Sequence, residues 1–274
     1  MKYSPKTMTE ILDNNDFKLK KKFGQNFIVD ENIIDSIIKS ADIKSNSLVI
    51  EIGPGAGSLT YKLAKMAKNV ICYEIDDTLK PVLAENLKDY NNISIIYKDF
   101  LKADVTKDIS KYDFDNLLVV ANLPYYITTP IITKIIEDNI NVDKIVVMVQ
   151  KEVGDRFKAK PNSKDYNSLS VYLNYYFDVR KILDISRNIF IPKPNVDSIV
   201  VEFSKKERKF LKDEKTFFKL VRDSFTQKRK NLKNNLKNYD LTKIEEILRK
   251  NGFDLNARAE QLSLDIFIEI ANNI

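Results

Sequence analysis

Two short stretches hold residue types that could do chemistry. The first is Asn122-Leu123-Pro124-Tyr125. An asparagine presents a side-chain carbonyl oxygen as an acceptor. Pro124 has no N–H, which leaves the Leu123 carbonyl free to accept from a ligand. Tyr125 offers a flat face beside them. Two oxygens and a ring suit a planar base with an exocyclic amine: the ring stacks and the oxygens receive both amine hydrogens. The bland alternative is a proline turn with an aromatic plug. The second stretch is Gly53-Pro54-Gly55-Ala56-Gly57, which spends three of the chain's six glycines in five residues. Such a turn lets a ligand approach the main chain beside unpaired amide groups. Glu74 follows 21 residues after Gly53. A carboxylate there has two acceptor oxygens for two vicinal ribose hydroxyls. Asp99, further on, could take a hydrogen bond from an adenine amine; otherwise it is an ordinary loop acid.

These residues need a scaffold that brings them to one rim, and the patterning supplies one. Leu48–Ile52, Val70–Glu74, Ile93–Tyr97, Leu117–Ala121 and Lys144–Val149 are short apolar runs that read as strands of a buried parallel sheet. Leu59, Leu63, Ala64 and Ala67 recur at helical spacing, and Thr78–Lys88 reads as a second helix. The glycines, Glu74, Asp99 and Asn122 each follow or end a strand, so they face the carboxyl edge where open α/β sheets gather ligands. The turn is not a dinucleotide fingerprint, because Ser58 stands where that motif wants Gly or Ala. NAD and FAD are therefore disfavoured. Glu51-x-Gly53-x-Gly55-x-Gly57 is instead similar to the pattern of S-adenosylmethionine-dependent methyltransferases.

Composition narrows the chemistry. The 274 residues contain no histidine, which removes imidazole bases, Ser-His-Asp triads and histidine-held metals. One cysteine, Cys72, falls inside a predicted strand and suits a small core hydrophobe in a reducing compartment. No metal site and no membrane span are expected. The charge of +6 permits a nucleic-acid partner. Residues 1–17 read as a mobile arm. Lys20, Lys21 and Lys22 could contact phosphates, Asn26 could face a ligand, and Asp30 fits the cap of a helix carrying Ile33, Ile34, Ile37 and Ile38. Ser168–Val179 is a helix or a strand. Phe190, before two prolines, is either a second stacking wall or a core anchor. From 205 the texture becomes short amphipathic helices, at 214–226, 228–238, 241–250 and 258–272, with Lys228, Arg229 and Lys230 as a basic grip on a phosphate backbone.

Taken together, several stretches resemble one family, the ribosomal RNA adenine dimethylases of the KsgA type. They are Phe23–Phe27, Glu51–Gly57, Asn122–Tyr125, Gln150–Val153, Leu169–Val171, Phe190–Ser198, Gln227–Leu232 and Arg258–Ser263. The resemblance implies a Rossmann-like class I methyltransferase α/β domain over 18–205 and a small all-helical RNA-binding domain over 206–274. It implies S-adenosylmethionine as cofactor, held by Asn26, Ile28, Gly53, Gly55, Glu74, Asp99 and Asn122. Asn122, Leu123, Pro124 and Tyr125 would meet the target base, with Tyr125 and Phe190 stacking on it. The substrate would be two adjacent adenosines near the 3′ end of small-subunit rRNA, and the partner the small ribosomal subunit. A cytoplasmic monomer is expected. Tyr126 departs from the family's usual asparagine and alters the adenine pocket. The competing readings are an Erm-type large-subunit methylase, a non-catalytic assembly or transcription factor on the same fold, and, most weakly, an NAD-dependent oxidoreductase.

Overall fold

The computed structural model describes residues 10, 20 and 24–274. The arm expected over 1–17, Glu10 apart, and Lys21 and Lys22 lie outside the described residues. The chain divides into two compact units. The first runs to Gly154 and resumes over Arg180–Ser204; the second holds Asp155–Val179 and Lys205–Ile274. The expected boundary at 205 is therefore one of three crossings, and residues 155–179 join the helical unit.

In the first unit the strands are β1 (Phe27–Ile28), β2 (Ser47–Ile52), β3 (Asn69–Glu74), β4 (Ile93–Tyr97), β5 (Asn116–Asn122) and β6 (Lys144–Gln150). β7 (Phe177–Ile185), β8 (Phe190–Ile191) and β9 (Ser198–Lys205) follow. The seven-stranded sheet has the order β4-β3-β2-β5-β6-β9-β7. Pairings from β4 through β6 are parallel, and β9 runs antiparallel to β6. β2 sends the chain to β3 on one side and is flanked by β5 on the other. The crevice between the carboxyl ends of β2 and β5 is thus the switch point where such sheets bind ligands. β2 is buried along its whole length. Burial of Leu48, Val49 and Ile50 contributes about 1.5–3 kcal/mol each, so the strand that carries the glycine turn is held firmly.

Helices α1 (Glu31–Ala41), α2 (Thr60–Met66), α3 (Lys80–Asn86), α4 (Val105–Ile109) and α5 (Thr128–Glu137) connect these strands. Asp30 caps α1 by accepting from the Asn32 N–H at 2.9 Å, and Ile34 and Ile37 turn inward. A separate two-stranded pair, β1 with β8, fixes the segment before α1. Its register sets Ile28 opposite Phe190 and Phe27 opposite Ile191.

The second unit takes the end of α6 (Lys151–Phe157), α7 (Ser168–Tyr176), α8 (Glu214–Ser224), α9 (Leu232–Asn235), α10 (Leu241–Lys250) and α11 (Leu264–Asn273). Phe217, Leu220, Leu232, Ile244, Leu248 and Phe267 form its core, together with Tyr166 and Val171. The undecided stretch Ser168–Val179 is a helix that passes into a strand at Phe177. The helix expected over 228–238 is confined to α9. Asn231 stops it from starting earlier by accepting from the Asn234 N–H at 3.2 Å, a local bond that competes with helix continuation. Likewise 258–272 is a single helical turn at Ala259–Gln261 followed by α11, which Ser263 caps. Among the described residues no helix is long and apolar enough to cross a membrane.

Candidate functional site

A cleft opens at the carboxyl ends of β2, β3, β4 and β5. Its floor is the glycine turn. Gly53 and Gly55 have φ of +72° and +59°, values that other residues adopt at a cost. A Cβ on Gly55 would stand 2.8 Å from the Phe27 ring, so no side chain fits there. Over Gly53 the nearest atom to a would-be Cβ is Pro124 Cδ at 3.9 Å, which leaves the backbone open to a ligand.

Glu74 closes one side. Its Oε1 accepts from the Asp76 N–H at 2.8 Å and its Oε2 from the Gly55 N–H at 3.3 Å. These bonds aim the carboxylate across the turn and leave each oxygen a further lone pair. Burial pushes its carboxyl up to about 7, against the opposing pull of the two amides. Glu51, buried within β2, is pushed by burial up to about 8, with Glu74 repelling in the same sense. A carboxyl at that level is largely neutral at pH 7, which avoids the cost of an unpaired buried charge.

Asn122 ends β5. Its Nδ2 donates to the backbone carbonyl of Asn26 at 2.8 Å. A carbonyl can only accept, so the amide orientation is set and Oδ1 is the atom presented to the cleft. The next residue uses its N–H on the Met148 carbonyl at 3.1 Å. Among the described residues no donor engages the Leu123 carbonyl, whereas the Pro124 carbonyl takes both the Ile127 N–H and the Thr128 hydroxyl. Two acceptors therefore stand in sequence at the cleft's edge.

The cleft brings together Asn26, Ile28, Gly53, Gly55, Glu74, Asp99, Asn122, Leu123 and Pro124, residues from five separate segments. Asp99 also caps a short turn by accepting from the Leu101 N–H at 3.0 Å. Tyr125 does not line the cleft; it is half-buried, and its hydroxyl lies 2.8 Å from Ser198 Oγ on β9. Phe190 overturns the stacking-wall expectation. It is 3% exposed and packs in the core beside Ile28, because the β1–β8 register turns both side chains to the interior. Its alternative reading, a core anchor, is the correct one. Lys20, read with the basic run as a phosphate contact, has its ammonium on Asp76 at 2.7 Å and on the Thr78 hydroxyl at 2.8 Å. Lys228, Arg229 and Lys230 are exposed on a turn closed by the Lys230 N–H to the Gln227 carbonyl at 2.8 Å.

One wall residue was flagged by its departure from the family's asparagine but not placed among the binding residues. Tyr126, 55% exposed, lines the cleft, and its ring would stand 3.3 Å from a Cβ on Gly24. Burial raises its hydroxyl, and Asp99 and Glu74 push it the same way. The signal was present in its place beside Pro124, but nothing in the local pattern says which of two adjacent tyrosines turns inward. Asp76, which nothing in the sequence singled out, stands two residues past Glu74 and outside the cleft lining, and its side chain meets Thr78 nearby and Lys20 and Gln25 far along the chain.

Comparison with known proteins places these features. The profile of the Ribosomal RNA adenine dimethylase family matches residues 16–274. Ribosomal RNA small subunit methyltransferase A of Macrococcus caseolyticus is 46% identical over 281 residues, 99% of this chain and 95% of that protein. The protein of the same name from Bacillus mycoides is 44% identical over 279 residues, 98% of this chain and 96% of that one. Among solved structures, a dimethyladenosine transferase from Plasmodium falciparum superposes with a TM-score of 0.74 at 28% identity, over 89% of this chain and 95% of that one. The 23S rRNA methyltransferase ErmE superposes at 0.69 and 26% identity, over 90% of this chain and 99% of that one.

Proposed function

The chain belongs to the ribosomal RNA adenine dimethylase family, and on that premise we propose that it transfers methyl groups from S-adenosylmethionine to the N6 amines of two adjacent adenosines near the 3′ end of small-subunit rRNA. The cleft fits that cofactor. The bare backbone at Gly53 admits an amino-acid-bearing nucleoside, and Glu74 has lone pairs left for two ribose hydroxyls. Asp99 is the acceptor for an adenine amine, and Asn26 and Ile28 line the same cleft.

The cofactor supplies an already activated sulfonium methyl, so the chain needs no nucleophile. What obstructs transfer is the adenine amine, whose lone pair is delocalised into the ring. Asn122 Oδ1 and the Leu123 carbonyl accept its two N–H groups, draw the nitrogen toward tetrahedral geometry and localise that pair. Tyr125 stands outside the cofactor cleft with its hydroxyl 2.8 Å from Ser198 Oγ; its ring is proposed to meet the target base on that side and to favour the developing positive charge through its face. The rest is orientation for in-line displacement: the nitrogen–methyl bond would form as the sulfur–methyl bond breaks, S-adenosylhomocysteine would leave, and the cationic nitrogen would then lose one proton to solvent. This economy suits a chain without histidine. The observation that carries the reading is the lock of Asn122 Nδ2 on the Asn26 carbonyl, which commits Oδ1 to the ligand side.

The small ribosomal subunit is the proposed partner, with the basic turn Lys228-Arg229-Lys230 of the helical unit on its phosphates. The chain would act as a monomer inside the cell. The test is transfer of labelled methyl into purified undermethylated small subunits, with products resolved as nucleosides. Dimethyladenosine at two adjacent positions is expected. Label confined to large subunits would move the substrate to that of ErmE-like enzymes, and cofactor binding without any label would leave a binding factor.

A further inference from the structure

The mechanism makes no use of Asp76, although its side chain is 1% exposed and it carries the densest set of donors at the rim. Its Oδ1 accepts from Lys20 Nζ at 2.7 Å, from the Thr78 hydroxyl at 2.6 Å and from the Thr78 N–H at 3.2 Å. Its Oδ2 accepts from Gln25 Nε2 at 2.9 Å. Burial opposes the charge, but Lys20, Thr78 and Gln25 together hold the carboxyl below the ordinary range, so Asp76 is ionised.

Three facts give this buried anion a consequence beyond packing. Its own N–H holds Glu74 Oε1 at 2.8 Å. Its two distant partners, Lys20 and Gln25, belong to one segment and are tied to each other, the Lys20 N–H donating to Gln25 Oε1 at 2.9 Å. The next residue after Gln25 is Asn26, whose carbonyl orients Asn122. The segment is thus pinned to the rim at the end of β3 and again at the end of β5.

We propose that Asp76 is a positioning residue that clamps Lys20 and the Gln25–Ile28 stretch beside the cofactor cleft, joining the carboxylate meant for the ribose to the amide meant for the target amine. The proposal rests on the functional reading above. Without the clamp the residue-76 N–H still meets Glu74, but the stretch that carries Asn26 loses its tie to the end of β3, and the Asn26 carbonyl under Asn122 is held less firmly. The cofactor would then have to order the segment itself, which lowers its affinity more than it slows the bound complex.

The test uses the full chain and S-adenosylhomocysteine as the probe in calorimetry, with methyl transfer measured at saturating cofactor. Lys20→Met and Asp76→Ala should each raise the cofactor Kd about tenfold, the size of one charge-assisted hydrogen bond, while kcat changes far less. The double variant should bind no worse than Asp76→Ala alone, since both remove one coupling. Lys20→Arg, which keeps the charge on Asp76, should restore most of the affinity. A wild-type Kd in Lys20→Met and Asp76→Ala, with only a lowered Tm, would overturn the clamp and leave Asp76 a structural ion. A wild-type chain that binds no S-adenosylhomocysteine at all would overturn the functional reading and the clamp with it.

Discussion

Gly55 and Gly252 both sit at positive φ, +59° and +79°, one in the cleft and one after α10 in the helical unit. Their surroundings are opposite. A Cβ on Gly55 would strike the Phe27 ring at 2.8 Å, whereas one on Gly252 would meet nothing within 4 Å. The same contrast runs through both units. The α/β rim packs bare backbone, buried carboxylates and aimed amides against one another. The helical unit is made of capped amphipathic helices, such as α8 behind Asp213, with its basic residues out in solvent. A site that must orient two reactants accepts local cost to place each group. A surface that grips a polyanion adds many small, interchangeable contributions.

The sharpest break in that comparison is Asn122→Ala. It removes one acceptor of the target amine and one bond to the Asn26 carbonyl. Turnover should fall by about 10²–10³-fold, the usual loss for a single aimed polar group, with the fold retained by circular dichroism. Near-normal turnover would show that the rim does not act through aimed groups. Next in size is the glycine pair. Gly55→Ala combines strained backbone with a ring clash and should cost about 1–3 kcal/mol in chemical denaturation, along with cofactor binding. Gly252→Ala carries the strain alone and should cost about 1–2 kcal/mol with binding intact. Equal effects on cofactor affinity would erase the distinction between the two turns.

Glu74 allows a pH test. Its carboxyl lies at about 7, so its acceptor form is gained as pH rises through that value. Cofactor affinity should strengthen between about pH 6 and 8, and Glu74→Gln should weaken it about tenfold and flatten the profile. Stability runs the other way. The folded chain holds protons on Glu51 and Glu74 that the unfolded chain releases above the ordinary 4.5. Their contribution is full below about 4.5 and is lost as pH rises through about 7 and 8, a decline that Glu51→Gln should reduce in thermal scans. The smallest single effects belong to the basic turn. Substituting Lys228, Arg229 or Lys230 by Gln should lower the salt slope of RNA binding by about one unit each, nearly additively, without altering the cofactor Kd.

What the sequence alone determined is what local chemistry dictates. Three glycines in five residues demand positive φ wherever the chain goes, and apolar β-branched runs make buried strands whatever their neighbours. The strand–turn–acid order followed from this, as did the set of residues now gathered on one cleft, Asn26 through Pro124. The Asp30 cap was equally legible, because capping needs only a carboxylate before a helix. Tertiary structure decided the matters that depend on register and on partners far along the chain. Phe190 could not be assigned until β1 paired with β8, since a strand's facing alternates with every residue. Of the two adjacent tyrosines, the fold turned Tyr126 toward the cleft and tied Tyr125 to Ser198, 73 positions later. The basic run divided as well: Lys20 spends its charge on Asp76, 56 residues away, a pairing that composition cannot express because it exists only once the rim has been assembled.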